Sequence, residues 1–147
     1  MTWQVALIPQ EETKAFWPRV APLLARAVRY ADGRTDMRSI FLAVQEERQN
    51  LWIAYDDADK VVAAAFVTHK EQYPHKALLV IDCVGGTKMD KWLHIASRVF
   101  QNCARDMGCS NVAMYGRPGW VRVLKSCGWT QKSVVLEIAA APAAEGV

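Results

Sequence analysis

The sequence has no C-x-x-C pair, no long run of like charge, and no apolar stretch near the ~20 residues that a membrane-spanning helix requires. Each absence removes a class of function. Without paired spacing, Cys83, Cys103, Cys109 and Cys127 do not form a zinc site, and no metal is expected. The start, Met1-Thr2-Trp3-Gln4, lacks a charged segment followed by an apolar one, so no signal peptide is expected. The expected location is therefore cytoplasmic, either in a cell or inside a larger particle, with the four thiols reduced. The 18 basic and 15 acidic residues leave a net charge of +3 and are scattered, which argues against nucleic acid as a partner. Histidine is scarce, at 3 residues. What remains is 52% hydrophobic and 22% charged in 147 residues, enough for one folded domain with a true core.

Local patterns divide the chain into alternating strands and helices. Trp3 to Ile8 reads as a strand stopped by Pro9. Glu11 to about Tyr30 places Phe16, Val20, Leu23, Leu24, Ala27 and Val28 at helical steps, with Pro18 and Pro22 predicting a kink or split. A helix over Asp36 to Glu47 follows the Asp32-Gly33 turn. Leu51–Tyr55, Val61–Lys70 and Lys76–Cys83 read as successive strands. Met89 to Met107 carries an apolar stripe of Met89, Trp92, Leu93, Ala96, Val99, Phe100, Cys103 and Met107, closed by Gly108. Asn111–Tyr115 is a strand, Pro118 opens a short helix to about Ser126, and Trp129 and Val134–Ala139 are strands. The order β-α-α-β-β-β-α-β-α-β implies an α/β (α+β) fold with a mixed central sheet flanked by helices. One domain is expected over residues 1–140, with 141–147 a frayed tail.

Three segments carry a resemblance. Ile81-Asp82-Cys83-Val84-Gly85-Gly86 feeds directly into the long helix. That helix closes on Ala104-Arg105-Asp106-Met107-Gly108. Val123-Leu124-Lys125-Ser126-Cys127-Gly128-Trp129 is similar to an aromatic-tyrosine-x-x-x-glycine-phenylalanine segment. In this order they resemble the GNAT (Gcn5-related N-acetyltransferase) superfamily. Gly116-Arg117-Pro118-Gly119-Trp120 looks closest to short GNAT-like proteins of tailed bacteriophages. The resemblance implies an acyltransferase that moves an acetyl group from acetyl-CoA to an amine. The phage likeness implies an alternative, a non-catalytic protein acting through contacts in a virion or on a host factor.

The implied cofactor site is Val84, Gly85, Gly86, Thr87 and Lys88, where helix amides and the helix dipole favour a pyrophosphate and glycines permit close approach. Lys88 and Lys91 could add charge. The family's loop begins with glutamine or arginine and ends with a small residue; here those places hold Cys83 and Lys88. A second reading stands beside this one: Thr87 and Asp90 have capping-box spacing and could close the helix themselves. The catalytic candidates are Asp82, as a base in an apolar strand where burial would raise its pKa or else a hydrogen-bonded strand-end residue, and Tyr115, as an acid or else an edge aromatic. Leu124 stands where the family's tyrosine donor stands. Glu71 is a further base candidate. His69 and His75 flank one hairpin turn, as a substrate lip or pH-sensitive pair or as plain surface residues. Arg117, Trp120 and Arg122 form a basic-aromatic cluster suited to a phosphate, an adenine or a protein partner, with Arg117 assigned to the cofactor. Six tryptophans exceed what one small core hides, which places some at a cleft or partner surface.

Overall fold

A computed structural model describes residues 2–144. The chain divides into two units, Met1–Gly116 and Arg117–Val147. The first unit contains β1 (Trp3–Leu7), a 3₁₀ turn (Gln10–Glu12), α1 (Thr13–Val28), α2 (Met37–Gln45), β2 (Asn50–Asp56), β3 (Val62–Gln72), β4 (Ala77–Gly86), α3 (Met89–Asp106) and β5 (Asn111–Met114). The strands form one sheet in sequence order. β1 through β4 pair antiparallel, and β4 and β5 pair parallel because α3 carries the chain back across the sheet.

Alternation along the strands sends side chains to two cores. Under α1 and α2, Val20, Leu24, Ile40 and Val44 pack with Leu51, Ile53, Ala65, Val67 and Cys83. The intervening residues supply an aromatic cluster on the opposite face. Phe66 meets Trp92 and Phe100 of α3 with ring centroids 5.1 and 5.3 Å apart, and Trp52 meets Phe100 at 5.0 Å, all edge-on. The indole of Trp52 donates to the Thr68 hydroxyl and that of Trp92 to the Thr87 carbonyl, so both bury without an orphaned N–H. Trp52 and Trp92 are buried and the other four tryptophans half-buried.

Two expectations are corrected. α1 is not split at Pro18 or Pro22 but is one helix from Thr13 to Val28. Its buried Val20 and Leu24, flanked by Phe16, Trp17, Leu23, Ala27 and Val28, hold the helix to the sheet against the local cost. β4 does not stop at Cys83. It continues through Val84, Gly85 and Gly86, which pair with Phe66, Ala65 and Ala64 of β3.

The second unit contains α4 (Pro118–Lys125), with proline in its first turn. The strand expected from Trp129 and Val134–Ala139 is not formed among the described residues. Val134, Val135, Leu136 and Ile138 are 66%, 63%, 88% and 95% exposed. β-propensity alone does not make a strand, since a strand needs a partner for its backbone groups.

Candidate functional site

Asp82 owes its position to a break in the β3–β4 register. His69 pairs with Val80 and Thr68 with Ile81, but Val67 pairs with Cys83. Asp82 is the extra residue of a β-bulge. It follows Val80 onto the His69 face by ordinary alternation. The bulge then repeats that face, so Cys83, directly after it, also points under α1, where its thiol lies 3.9 Å from the Leu24 carbonyl. Burial, then the Asp82 charge, pushes the Cys83 thiol up to about 11, which leaves it a packing residue.

The cross-strand diagonal brings the Asp82 carboxylate to His69. Asp82 Oδ2 lies 2.6 Å from His69 Nδ1 and also accepts from Gln49 Nε2 at 2.9 Å. On the other side of the ring, His69 Nε2 lies 3.4 Å from Glu71 Oε1, beyond the usual hydrogen-bond range of about 2.7–3.2 Å. The His69 and Asp82 side chains are 27% and 23% exposed. Partial burial opposes charge on the imidazole. The Asp82 hydrogen bond, with the Asp82 and Glu71 charges behind it, outweighs burial and raises the His69 pKa above its ordinary value. Of the two readings of Asp82, the hydrogen-bonded residue describes it better than the core-buried carboxyl. It lines a cleft and is held by two partners.

That cleft, about 300 Å³, is lined by Thr35, Ser39, Ala43, Arg48, Gln49, His69 and Asp82. Its rim is built by α2 and the turns at either end. Asp36 caps α2 by accepting from the Ser39 amide at 2.7 Å. After α2, Glu47 adopts a left-handed conformation, and the Arg48 and Gln49 amides both fold back onto the Ala43 carbonyl, at 2.9 and 3.2 Å. This fixed turn presents Gln49 to Asp82.

Tyr115 does not join this group. Its neighbour Met114 pairs with Ile81, which brings the chain to the level of Asp82 as β5 ends. Tyr115 is 67% exposed, and its hydroxyl shares a hydrogen bond with Tyr73, raising the Tyr73 pKa. His75 is exposed in the hairpin turn; His69 pairs with Asp82 rather than with it.

The glycine segment is strand, not turn. A Cβ on Gly85 would lie 2.0 Å from the Leu23 carbonyl oxygen, and one on Gly86 would lie 2.3 Å from the Ala63 oxygen. Close packing of α1 and β3 on β4 accounts for both residues. The capping box is not formed either. The Thr87 amide bonds the Ala63 carbonyl at 2.8 Å, extending the ladder. Lys88 then takes the N-cap place in a left-handed conformation, and no side chain caps α3. Lys88 and Lys91 are exposed, with Asp90 acidic in the first turn. Among the described residues, β5 pairs only as far as Ile81, so Cys83–Gly86 pair with β3 alone, and from Asp82 to Gly86 the other edge of β4 has no strand partner. In the second unit, Arg117 and Arg122 are exposed and Trp120 is half-buried.

Among the described residues no three His, Cys, Asp or Glu side chains are grouped to hold a metal, and no helix is long and apolar enough to cross a membrane. From sequence His69 was set beside His75 rather than Asp82, and Arg48, Gln49, Thr35 and Ser39 were not singled out. Counting outward from the Tyr73-Pro74 turn would have paired His69 with Val80 and set Asp82 diagonal to it. Nothing local marks Arg48 or Gln49.

No protein-family model matches the chain, and no curated protein matches it in sequence. Solved structures do match in shape. Glucosamine-6-phosphate N-acetyltransferase from Arabidopsis thaliana is similar with a TM-score of 0.62 at 14% identity, covering 95% of this chain and 99% of that one. Ribosomal-protein-alanine N-acetyltransferase from Brucella melitensis gives 0.63 at 15%, covering 97% and 100%. An aminoglycoside acetyltransferase from an uncultured soil metagenomic sample gives 0.65 at 9%, covering 96% and 97%. The phage resemblance gains nothing from these. The five-stranded mixed sheet with its flanking helices is the fold of the GNAT acetyltransferases.

Proposed function

We propose that the chain is a GNAT-fold N-acyltransferase that moves an acetyl group from acetyl-CoA to an amine, with the His69–Asp82 pair removing the amine's proton. The observation that carries this reading is the 2.6 Å contact between His69 Nδ1 and Asp82 Oδ2 on the wall of a cleft. Acetyl-CoA supplies an activated thioester. The residues present fit such a donor in two respects. The open β4 edge from Asp82 to Gly86 offers backbone groups to the amides of its arm, in the manner of an added strand. The uncapped first turn of α3, with Lys88 and Lys91, suits its phosphates, although Asp90 works against them. Arg117 is a further proposed phosphate contact.

In this reading Asp82 is a positioning residue. It fixes the Nδ1–H tautomer of neutral His69, leaving Nε2 as the proton acceptor. The amine nitrogen bonds to the acyl carbon, the carbon–sulfur bond breaks, and the amine's proton passes to Nε2. Tyr115 is the proposed donor to the departing thiolate, on the strength of the β5 register that carries it to the level of Asp82. Calorimetry with acetyl-CoA and a thiol-release assay over a panel of amines test the reading. Binding, with thiol release that falls at least 100-fold in His69→Gln, is the expected result. No binding at millimolar acetyl-CoA overturns it.

A second reading, the non-catalytic phage-type protein in a virion or on a host factor, is favoured by one observation: the exposed run Val134, Val135, Leu136 and Ile138. Its partner surface would include Arg117, Trp120 and Arg122. Failure to bind acetyl-CoA, together with capture of a partner that is lost when Leu136 and Ile138 become serine, would favour it.

A further inference from the structure

The cleft contains one more charged group than proton removal needs. Arg48 lines it alongside Thr35, Ser39, Gln49, His69 and Asp82. With His69 neutral, the Asp82 carboxylate is held by the His69 Nδ1–H and Gln49, and Arg48 is the one fixed cation among the lining residues. Glu46 Oε1 takes one Arg48 nitrogen at 2.8 Å, but these side chains are 59% and 62% exposed. An ion pair so wet contributes little and yields readily. The guanidinium has five N–H donors in a planar fork, which leaves capacity for a carboxylate or phosphate.

Position strengthens the case. Arg48 and Gln49 are consecutive, with Cα atoms about 3.8 Å apart. The left-handed Glu47 and the paired amide bonds to Ala43 fix both in one turn. Gln49 reaches the carboxylate that orients His69. A ligand touching Arg48 at one end therefore reaches His69 within the span of a small molecule, as the cleft of about 300 Å³ requires.

We propose that the acceptor is a small amine that also bears an anionic group, a carboxylate or a phosphate, held by Arg48 while its nitrogen faces His69. This rests on the acyltransferase reading and specifies its substrate class. The anion would be bound in both ground and transition states, so Arg48 acts mainly on KM.

The test compares thiol release from acetyl-CoA for matched acceptors: alanine against alaninamide, and O-phosphoethanolamine against ethanolamine. At least one anionic member should exceed its neutral partner by about tenfold or more in kcat/KM, the usual scale of a charge-assisted hydrogen bond. The pair that shows the preference distinguishes carboxylate from phosphate. In Arg48→Gln the preference should shrink toward parity through KM, and Arg48→Lys should restore part of it. Equal rates within both pairs, or a preference intact in Arg48→Gln, overturns the proposal. Should no amine release thiol, the acyltransferase reading has failed, and an NMR titration of the His69 ring with the same four compounds decides the site separately. Shifts from an anionic compound that vanish in Arg48→Gln support the anion site, and their absence refutes it.

Discussion

Replacing Asp82 with asparagine keeps the shape of the bulge residue and removes its charge. The carboxylate lies 2.6 Å from His69 Nδ1, with both side chains about three-quarters covered. A charge-assisted hydrogen bond is worth about 1.5–3 kcal/mol, and partial exposure brings the expectation here to about 1–2 kcal/mol. The sign depends on pH. His69 has a raised pKa in the folded state, so its contribution is fully present below the unfolded value of about 6.5. It is lost as pH rises through the higher folded value. Urea unfolding should therefore show Asp82→Asn less stable by about 1–2 kcal/mol near pH 5.5, with a smaller gap near pH 8.5. At the scale of this chain each kcal/mol is about 2–4 °C in Tm. NMR titration of the His69 ring should give a pKa above the ordinary value in the parent chain and a lower one in the variant. A parent pKa below the ordinary value would mean that burial outweighs the carboxylates. Parallel pH profiles for the two proteins would mean that the pair does not form in solution. Either result refutes the geometry on which the proposed base rests.

Other consequences are separable from this one. Gly85→Ala places a Cβ 2.0 Å from the Leu23 carbonyl oxygen, where backbone must move; a loss of about 3 kcal/mol or more is expected by denaturation, and a neutral result would reject packing as the reason for that glycine. Pro22→Ala restores an interior helix bond in α1 at an exposed position; after allowing for the freer unfolded chain, a gain of about 2 kcal/mol is expected in urea, and destabilisation would refute an unbroken helix. Lys88→Gly relieves a left-handed lysine ahead of α3 and should raise stability by about 1 kcal/mol by the same measurement. If His69 is the base, kcat/KM should climb with pH through its raised pKa, and a profile flat between pH 6 and 8 would exclude it.

What could be read from the sequence, and what could not, follows the range of the forces involved. The α3 stripe from Met89 to Phe100 is a local periodicity, and α3 forms where that periodicity places it. Gly108, with φ of +76°, ends the helix because a left-handed residue there favours glycine. The strands of β2 and β3 and the capped start of α2 are local in the same sense. The double glycine was misleading because glycine fits a turn and a crowded strand equally well. What distinguishes the two is the Leu23 carbonyl of α1, more than sixty residues away in sequence. Thr87 and Asp90 have capping-box spacing, yet the Ala63 carbonyl captures the Thr87 amide first, and the ladder outlasts the cap. Val134–Ile138 has strand composition but no ladder to enter. The site illustrates the same rule most sharply. Asp82 was conspicuous as a charge in an apolar strand, but its partner depended on the β3–β4 register and its neighbour's orientation on a single extra residue. A reading limited to local pattern could therefore find the carboxylate and the histidine separately, and not that one orients the other. Local signals place the elements, while the chemistry of the cleft arises where distant elements correct each other's alignment.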